Sequence, residues 1–326
     1  MVRPGRNIRL RSSARSDRGR VRQNNEDSVH LWAEDHNILA VVADGMGGAV
    51  AGEEASRIAV QTVQDKFITK QHRSPDTYAD YDPDDLADLL FEAVREANSN
   101  IYQRAMIKPE LKGMGTTITM AFARENSVVL AHVGDSRAYY VDGSVGEIEQ
   151  LTDDHTFVNA LLKAGHIDEA EAKNHPMSNV LYRALGQSED LDIDVLHGIT
   201  MHVGDRMVLC SDGLTLHVSE EEIGDVAMTT ADPHEISQEL VNLALSRGGK
   251  DNVSVIVIIA EQDDQHATHE SATEEISIDE DDGATVPMNP DFLNVARYDT
   301  NAPEARQCQS TPATHGEGHD TAEPFQ

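Results

Sequence analysis

Apolar and polar positions along the chain change period several times, and each change marks a new element. The stretches "SVHLW" and "NILAVVAD" read as adjacent strands, and "GEEASRIAVQTVQDKFIT" then carries Ala55, Ile58, Ala59, Val63 and Phe67 at helical spacing. After the polar loop "QHRSPDTYADYDP" a second helix is expected over 84–106, with Leu86, Leu89, Leu90, Ala93, Val94, Ala97 and Ile101 on one face. Four β-type runs follow, "TTITMAFAR", "SVVLAHVGD", "RAYYVDG" and "EIEQLT", separated by the short polar or glycine turns of an antiparallel meander. Short helices near 154–165 and 168–173 precede a β-rich block, "DIDVLHGITMHVGDRMVLCSDG"; helices near 219–228 and 233–247 and a last strand, "NVSVIVIIA", close the pattern. Helix pairs around two blocks of antiparallel strands predict an α+β fold, a four-layer α/β/β/α sandwich of two antiparallel sheets flanked by helix pairs.

Beyond 260 the period disappears. Residues 261–326 hold few aromatics and read as an acidic, disordered tail, in which "ISIDEDD" and "PDFLNVARY" stand as short docking motifs or as plain solvated linker. The folded domain is placed at 10–260 and a flexible basic start at 1–9. Charge divides the same way: residues 3–22 carry eight arginines against one aspartate, and the segment after Ala260 carries sixteen acidic residues against two arginines. A formal net charge of −32 opposes binding to nucleic acid or an anionic membrane, which depends on neutralising phosphates with Lys and Arg. No apolar run approaches the roughly 18 residues of a membrane span, and no secretory apolar core begins the chain. Two distant cysteines, Cys210 and Cys308, point to a reducing compartment, the cytoplasm.

The chemistry begins where "NILAVVADGMGG" stops being apolar, at Asp44. A glycine turn between strand and helix can cradle phosphate or simply turn the chain, but "GMGGAVAGEE" has neither the Gly-Lys-Ser/Thr of a P-loop nor G-x-G-x-x-G. The strand-end carboxylate recurs: Asp135 in "VVLAHVGDSR", Asp212 in "RMVLCSDGL", and Asp251 just before the final strand in "GGKDNVSVIVII". Carboxylates brought together on one edge of a sandwich repel unless a cation lies among them. Oxygen ligands without clustered Cys or His suit Mg²⁺ or Mn²⁺ and disfavour zinc. Arg22, a few residues before Glu26 and Asp27 in "RVRQNNEDSV", supplies a fork for two phosphate oxygens, and the small residues of "GMGTT" let a backbone pass close by. The set points to phosphoester chemistry. Cys210 lies in an apolar strand pattern without a basic neighbour, so it is no nucleophile.

The ordered motifs "RxxNED", "ADGMGG", "GMGTT", "GDSRAY", "CSDGL" and "DNVSVIV" resemble the metal-dependent Ser/Thr protein phosphatases, the 2C-like family in its bacterial form, over about residues 10–260. The resemblance implies that Asp44 bridges two Mn²⁺ or Mg²⁺ ions, with the Gly45 carbonyl on one and Asp212 and Asp251 on the other. Asp135 and Asp212 would hold a weaker third ion. Glu26 and Asp27 would hold metal-bound waters, Thr116 and Asn252 would support the ligands from behind, and Arg22 would take the substrate phosphate. Arg22, Asp44 and Asp135 are thus the expected catalytic residues of a hydrolase in which metal-activated water attacks phosphoserine or phosphothreonine. The implied partners are phosphorylated proteins, bacterial Ser/Thr kinases and their substrates among them, and the chain is expected to be a monomer.

Two other readings share the scaffold. A silent phosphoprotein-binding relative would lack a metal carboxylate, and Asp44, Asp212 and Asp251 are all present. A switch phosphatase acting on anti-sigma-factor antagonists would carry a sensor domain ahead of the catalytic unit, where only a short segment stands here. One position departs from the eukaryotic branch: Met46 replaces the His after "DG" that is proposed to protonate the leaving alkoxide, and a thioether cannot donate a proton. A metal-held water near Asp135 is the first replacement, His155 in "DDHTFV" the second. Residues 153–183 correspond to the flap of bacterial members, where His155, His175, Asn179 and Arg183 either anchor the flap or touch substrate.

Overall fold

A computed structural model describes residues 8–34, 37–68, 78, 81–173, 175–263 and 276–278. The chain runs β1 (Ile8–Asp17), β2 (Asp27–Glu34), β3 (Asn37–Met46), α1 (Ala49–Ile68), α2 (Pro83–Ile107), β4 (Gly115–Thr116), β5 (Ile118–Arg124), β6 (Ser127–Val133), β7 (Arg137–Val141) and β8 (Ile148–Gln150). It continues with α3 (Phe157–Lys163), α4 (Glu169–Lys173), β9 (Asp194–Thr200), β10 (Arg206–Cys210), α5 (Asp212–Thr215), α6 (Glu220–Ala227), α7 (Pro233–Ser246), β11 (Val253–Gln262) and β12 (Ile276–Ile278). One sheet has the order β12-β1-β11-β10-β7-β8, the other β2-β3-β5-β6-β9, with β4 paired to the end of β3. Every described pairing is antiparallel except β12 beside β1, which is parallel.

Strands that are apolar on both faces explain the layering. On β3, Leu39, Val41 and Ala43 pack with Ala55, Val63, Leu90 and Val94 of α1 and α2, while Ile38, Ala40 and Val42 pack with Leu209, Ile256 and Ile258 of the facing sheet. On β11 the alternation repeats: Val253, Val255, Val257 and Ile259 meet α5, α6 and α7, and Ile256, Ile258 and Ala260 meet the other sheet. A strand shows one side chain in two to each face, so only a strand sandwiched between two layers is apolar throughout. The four-layer α/β/β/α architecture is therefore the one expected from sequence.

Several elements differ from their expected form. β1 was hidden among the arginines: its inward positions are Leu10, Ser13, Ala14 and Ser16, and the serines are satisfied by Ser13 Oγ to Ser237 Oγ at 3.0 Å and Ser16 Oγ to Ser254 Oγ at 2.9 Å. It starts at Ile8, inside the stretch expected to be flexible, and β11 runs to Gln262, two residues past the expected boundary. Ile276–Ile278, from the "ISIDEDD" piece of the acidic tail, adds to β1 at Ala14–Ser16. "TTITMAFAR" breaks at Thr117 into β4 and β5. The second helix starts at Pro83 because Asp82 accepts from the Asp84 and Asp85 backbone while Asp85 reaches back to Asp82, and it ends before Pro109, whose ring holds Lys108 extended. Residues 1–7, most of the 71–83 loop, Cys308, the "PDFLNVARY" piece and the rest of the tail lie outside the described residues. Among the described residues no helix is long and apolar enough to cross a membrane.

Strand direction brings the aspartates together. Asp44, near the end of β3, lies directly opposite Asp27 at the start of β2, Asp212 follows β10, Asp251 precedes β11, and Asp135 lies between β6 and β7. β10 and β11 pair Cys210 with Val255, so the end of one and the start of the other share one edge. Ile258→Ala, which empties a position between the sheets, is expected to lower stability by about 2–5 kcal/mol. Val21→Ala, at a position 65% exposed, is expected to change it by no more than about 0.5 kcal/mol. Chemical denaturation of the two variants measures both.

Candidate metal centre

Asp44 is fixed through its main chain. Its N–H donates to Thr117 Oγ1 at 2.9 Å, and its carbonyl accepts from Thr117 N at 2.9 Å and Thr116 Oγ1 at 2.8 Å. The break at Thr117 thus turns two backbone-pairing residues into a clamp. Ser136 Oγ, beside Asp135, meets Thr117 Oγ1 at 2.8 Å and joins two of the acidic loops.

Two glycines follow two of these aspartates for a steric reason. A Cβ on Gly45 would stand 2.2 Å from the Gly52 carbonyl oxygen, and one on Gly213 would stand 1.8 Å from that of Asn252. In each case another chain passes where a side chain would be. The Asn252 amide then ties the Arg22 loop to β11: its Oδ1 accepts from Glu26 N at 2.8 Å, and its Nδ2 donates to the carbonyls of Arg18 and Asn24, both at 2.9 Å. Asn252 thus holds the backbone at Glu26, as Thr116 holds that of Asp44.

The carboxylates oppose one another. Burial pushes the Asp27 carboxyl up to about 7, against two serine hydroxyls that donate to its Oδ2, Ser254 at 2.7 Å and Ser211 at 2.8 Å. Burial and then the charges of Asp27, Asp212, Asp135 and Asp251 raise Asp44 well above the usual carboxylate range. Burial, followed by Asp212 and Asp154, takes Asp135 to about 8; burial and Asp251 take Asp212 to about 6 against a hydrogen bond with Asp44. Burial also raises Glu26. Arg22 is drawn in, its Nη2 donating to Asp251 Oδ2 at 2.7 Å.

The donors fit divalent cations of the oxygen-preferring kind. All of them are oxygens, several carboxyls raise one another, and Asp27 Oδ1 is buried without a hydrogen-bond partner. Among the described residues no three His, Cys, Asp or Glu side chains already surround one point at ligand distance.

The flap residues separate into two groups. Arg183 anchors, its Nη1 donating to Asp194 Oδ1 at 2.8 Å. His175 and Asn179 stay within the flap: His175 Nδ1 accepts from Met177 N at 3.2 Å and its ring lies 6.4 Å from that of Phe157, while Asn179 Oδ1 accepts from Ser178 Oγ. His155, the second candidate for the proton donor, is 2% exposed, with Nδ1 taken by Gly134 N and Nε2 facing Asp194 Oδ2 and Arg183 Nη1, so it has no free proton for a leaving group. Thr117, Ser136, Ser211, Ser254 and Asp194 were not found from sequence. A single Ser or Thr carries no motif, and Asp194 lies eleven residues beyond Arg183 in an ordinary strand start.

The family model described as Protein phosphatase 2C matches residues 17–243. The chain belongs to the protein phosphatase 2C family. The serine/threonine phosphatase stp of Listeria monocytogenes is 35% identical over 250 residues, 76% of this chain and 95% of that one. The serine/threonine protein phosphatase PstP of Mycobacterium tuberculosis is 40% identical over 281 residues, 85% of this chain and 50% of PstP, so the chain spans about half the length of that relative. A crystal structure of the M. tuberculosis phosphatase PstP/Ppp superposes with a TM-score of 0.65 at 40% identity, covering 78% of this chain and 99% of that chain. Another, the catalytic domain of PstP in complex with two manganese ions, gives 0.65 at 38% identity and covers 78% and 100%. This chain is accordingly an enzyme, a serine/threonine protein phosphatase.

In the phosphatase freed of metal by chelation, the raised carboxyls set the sign of a pH dependence. The folded state binds more protons than the unfolded one between the ordinary aspartate value near 3.8 and the folded values of about 6 to 8, so stability present at low pH is lost as pH rises through that window. The melting temperature of the chelated protein is expected to fall from pH 5 to pH 8, and Asp135→Asn to flatten the slope. Calorimetric scans across pH check this; an unchanged slope in the variant would remove Asp135 from the repelling set.

Proposed function

We propose that the phosphatase hydrolyses phosphoserine and phosphothreonine on proteins at a centre of two Mn²⁺ or Mg²⁺ ions held by Asp44, the Gly45 carbonyl, Asp212 and Asp251. The observation that supports this reading is the convergence of mutually raised carboxyls, with an orphaned Asp27 oxygen, beside the Arg22 guanidinium. The manganese-bound relative supports the choice of ion. Bound divalent ions would neutralise the acids and supply an activated water for in-line attack on phosphorus.

The chain's own residues do the rest. Arg22, already lying along Asp251, presents its fork to two phosphate oxygens and fixes the ester for attack. Glu26 and Asp27 would orient water beside such ions from positions held by Asn252, Ser211 and Ser254. Asp135 would serve a weaker third ion or orient the water that protonates the leaving alkoxide, a role Met46 cannot fill. The substrates are phosphorylated proteins, bacterial Ser/Thr kinases and their targets among them. The phosphatase acts as a monomer in the cytoplasm, a setting that suits the free, buried thiol of Cys210.

Chelation is expected to abolish hydrolysis of a phosphothreonine peptide and Mn²⁺ to restore it, whereas full activity after exhaustive chelation would end the metal reading. Arg22→Ala is expected to raise KM for that peptide by about tenfold to a hundredfold, the size of a lost charge-assisted hydrogen bond, with Mn²⁺ binding kept by calorimetry. Asp135→Ala is expected to keep two ions and phosphopeptide binding while turnover falls on the order of 10²–10⁴-fold. Wild-type turnover in that variant would leave Asp135 a turn residue.

A further inference from the structure

His155 uses every hydrogen-bonding group it has to join two parts of the molecule. Toward the metal centre, its backbone N–H donates to the Gly134 carbonyl at 2.7 Å and its ring Nδ1 accepts from Gly134 N at 3.0 Å. Gly134 is thereby clasped on both sides of its α-carbon, and it is the residue that carries Asp135. Its φ of +117° lies in the region only glycine adopts freely, and a Cβ there would stand 2.5 Å from the Thr117 side chain. The Asp135 loop therefore has little room to move except by breaking the clasp.

Toward the flap, the His155 carbonyl accepts from Tyr182 N at 2.9 Å. Because Nδ1 is an acceptor, the ring proton sits on Nε2 and is donated to Asp194 Oδ2 at 3.0 Å. Arg183 Nη1 donates to the other oxygen of the same carboxylate at 2.8 Å. The end of the flap is thus held through Asp194, itself opposite His132 in the β6–β9 register. The His132 ring lies 4.9 Å from that of His155 and limits its rotation.

We propose that His155 is a positioning residue whose two ring nitrogens serve different steps: Nδ1 sets the Asp135 loop for turnover, and Nε2–H, through Asp194 and Arg183, sets the flap for the protein substrate. The flap side carries the exposed Met177, Val180 and Tyr182, apolar surface suited to a peptide flanking the phosphoresidue. The part concerning turnover rests on the proposed role of Asp135.

Two variants separate the nitrogens. His155→Asn keeps an acceptor near the Nδ1 position and removes the donor to Asp194; His155→Gln keeps a donor near Nε2 and removes the acceptor for Gly134. With the Asn variant, KM for a phosphothreonine peptide is expected to rise about tenfold, with kcat and KM for p-nitrophenyl phosphate little changed. With the Gln variant, kcat on both substrates is expected to fall by about tenfold or more at nearly unchanged KM. The metal-free protein gives an independent readout: trypsin cuts faster at Arg183 in the Asn variant, and the Gly134 amide exchanges faster in the Gln variant. Parallel loss of kcat and KM in both variants, in step with melting temperature, would overturn the proposal, as would no change in either. If cleavage and exchange separate as expected while turnover does not, the failure belongs to the role of Asp135, and the clasp stands.

Discussion

Repulsion among carboxylates is the constraint on which this structure turns. Asp27, Asp44, Asp135 and Asp212 each sit with their charged forms disfavoured by burial and by neighbouring acids, and their own charges would drive them apart. The fold keeps them together. Three apolar layers fix the strands, the strands end at one edge, and each acidic loop is then fastened by main-chain or hydroxyl contacts rather than by countercharge: Thr116 and Thr117 on Asp44, Ser211 and Ser254 on Asp27, Ser136 beside Asp135. Such contacts keep the carboxylate charges uncompensated and so available to cations. A site fastened by several arginines would be steadier and would have no affinity left for metal.

The ion pair of Arg22 stands apart from the other contacts of the centre. Arg22 lies on a loop between β1 and β2, half exposed and paired with Asp251, and the loop is held by Asn252 at its base rather than by packing. An ion pair at a half-exposed position contributes little to stability, about 0–1 kcal/mol, so in the proposed role of Arg22 exchanging Asp251 for a phosphate would cost the fold almost nothing. The acids are held by several contacts each, and the Arg22 side chain by this one pair.

The layers were legible in the sequence because β3 and β11 are apolar on both faces, a pattern that only strands between two layers show. The acids were legible because each interrupts such a run. β1 was not: it buries Leu10, Ser13, Ala14 and Ser16 between arginines, and its serines become compatible with the core only through Ser237 and Ser254, more than two hundred residues away. The burial of His155 was not legible for the same reason: its partners Gly134 and Asp194 lie 21 and 39 residues away, and only the fold brings them to the ring.

A formal charge of −32 raises a last physical question, since the substrate is itself an anion. Screening resolves it. At physiological ionic strength the Debye length is about 8 Å, so acids on distant faces act weakly on an approaching phosphate, while charges at the centre act almost unscreened. The sign that a phosphate meets is therefore set locally, by Arg22 and by whatever cations the carboxylates hold. Without cations the same edge repels it. On the proposed assignment, metal occupancy would then be not only the source of reactivity but also the condition for binding, and both steps would depend on the same cluster of acids at the edge of the two sheets.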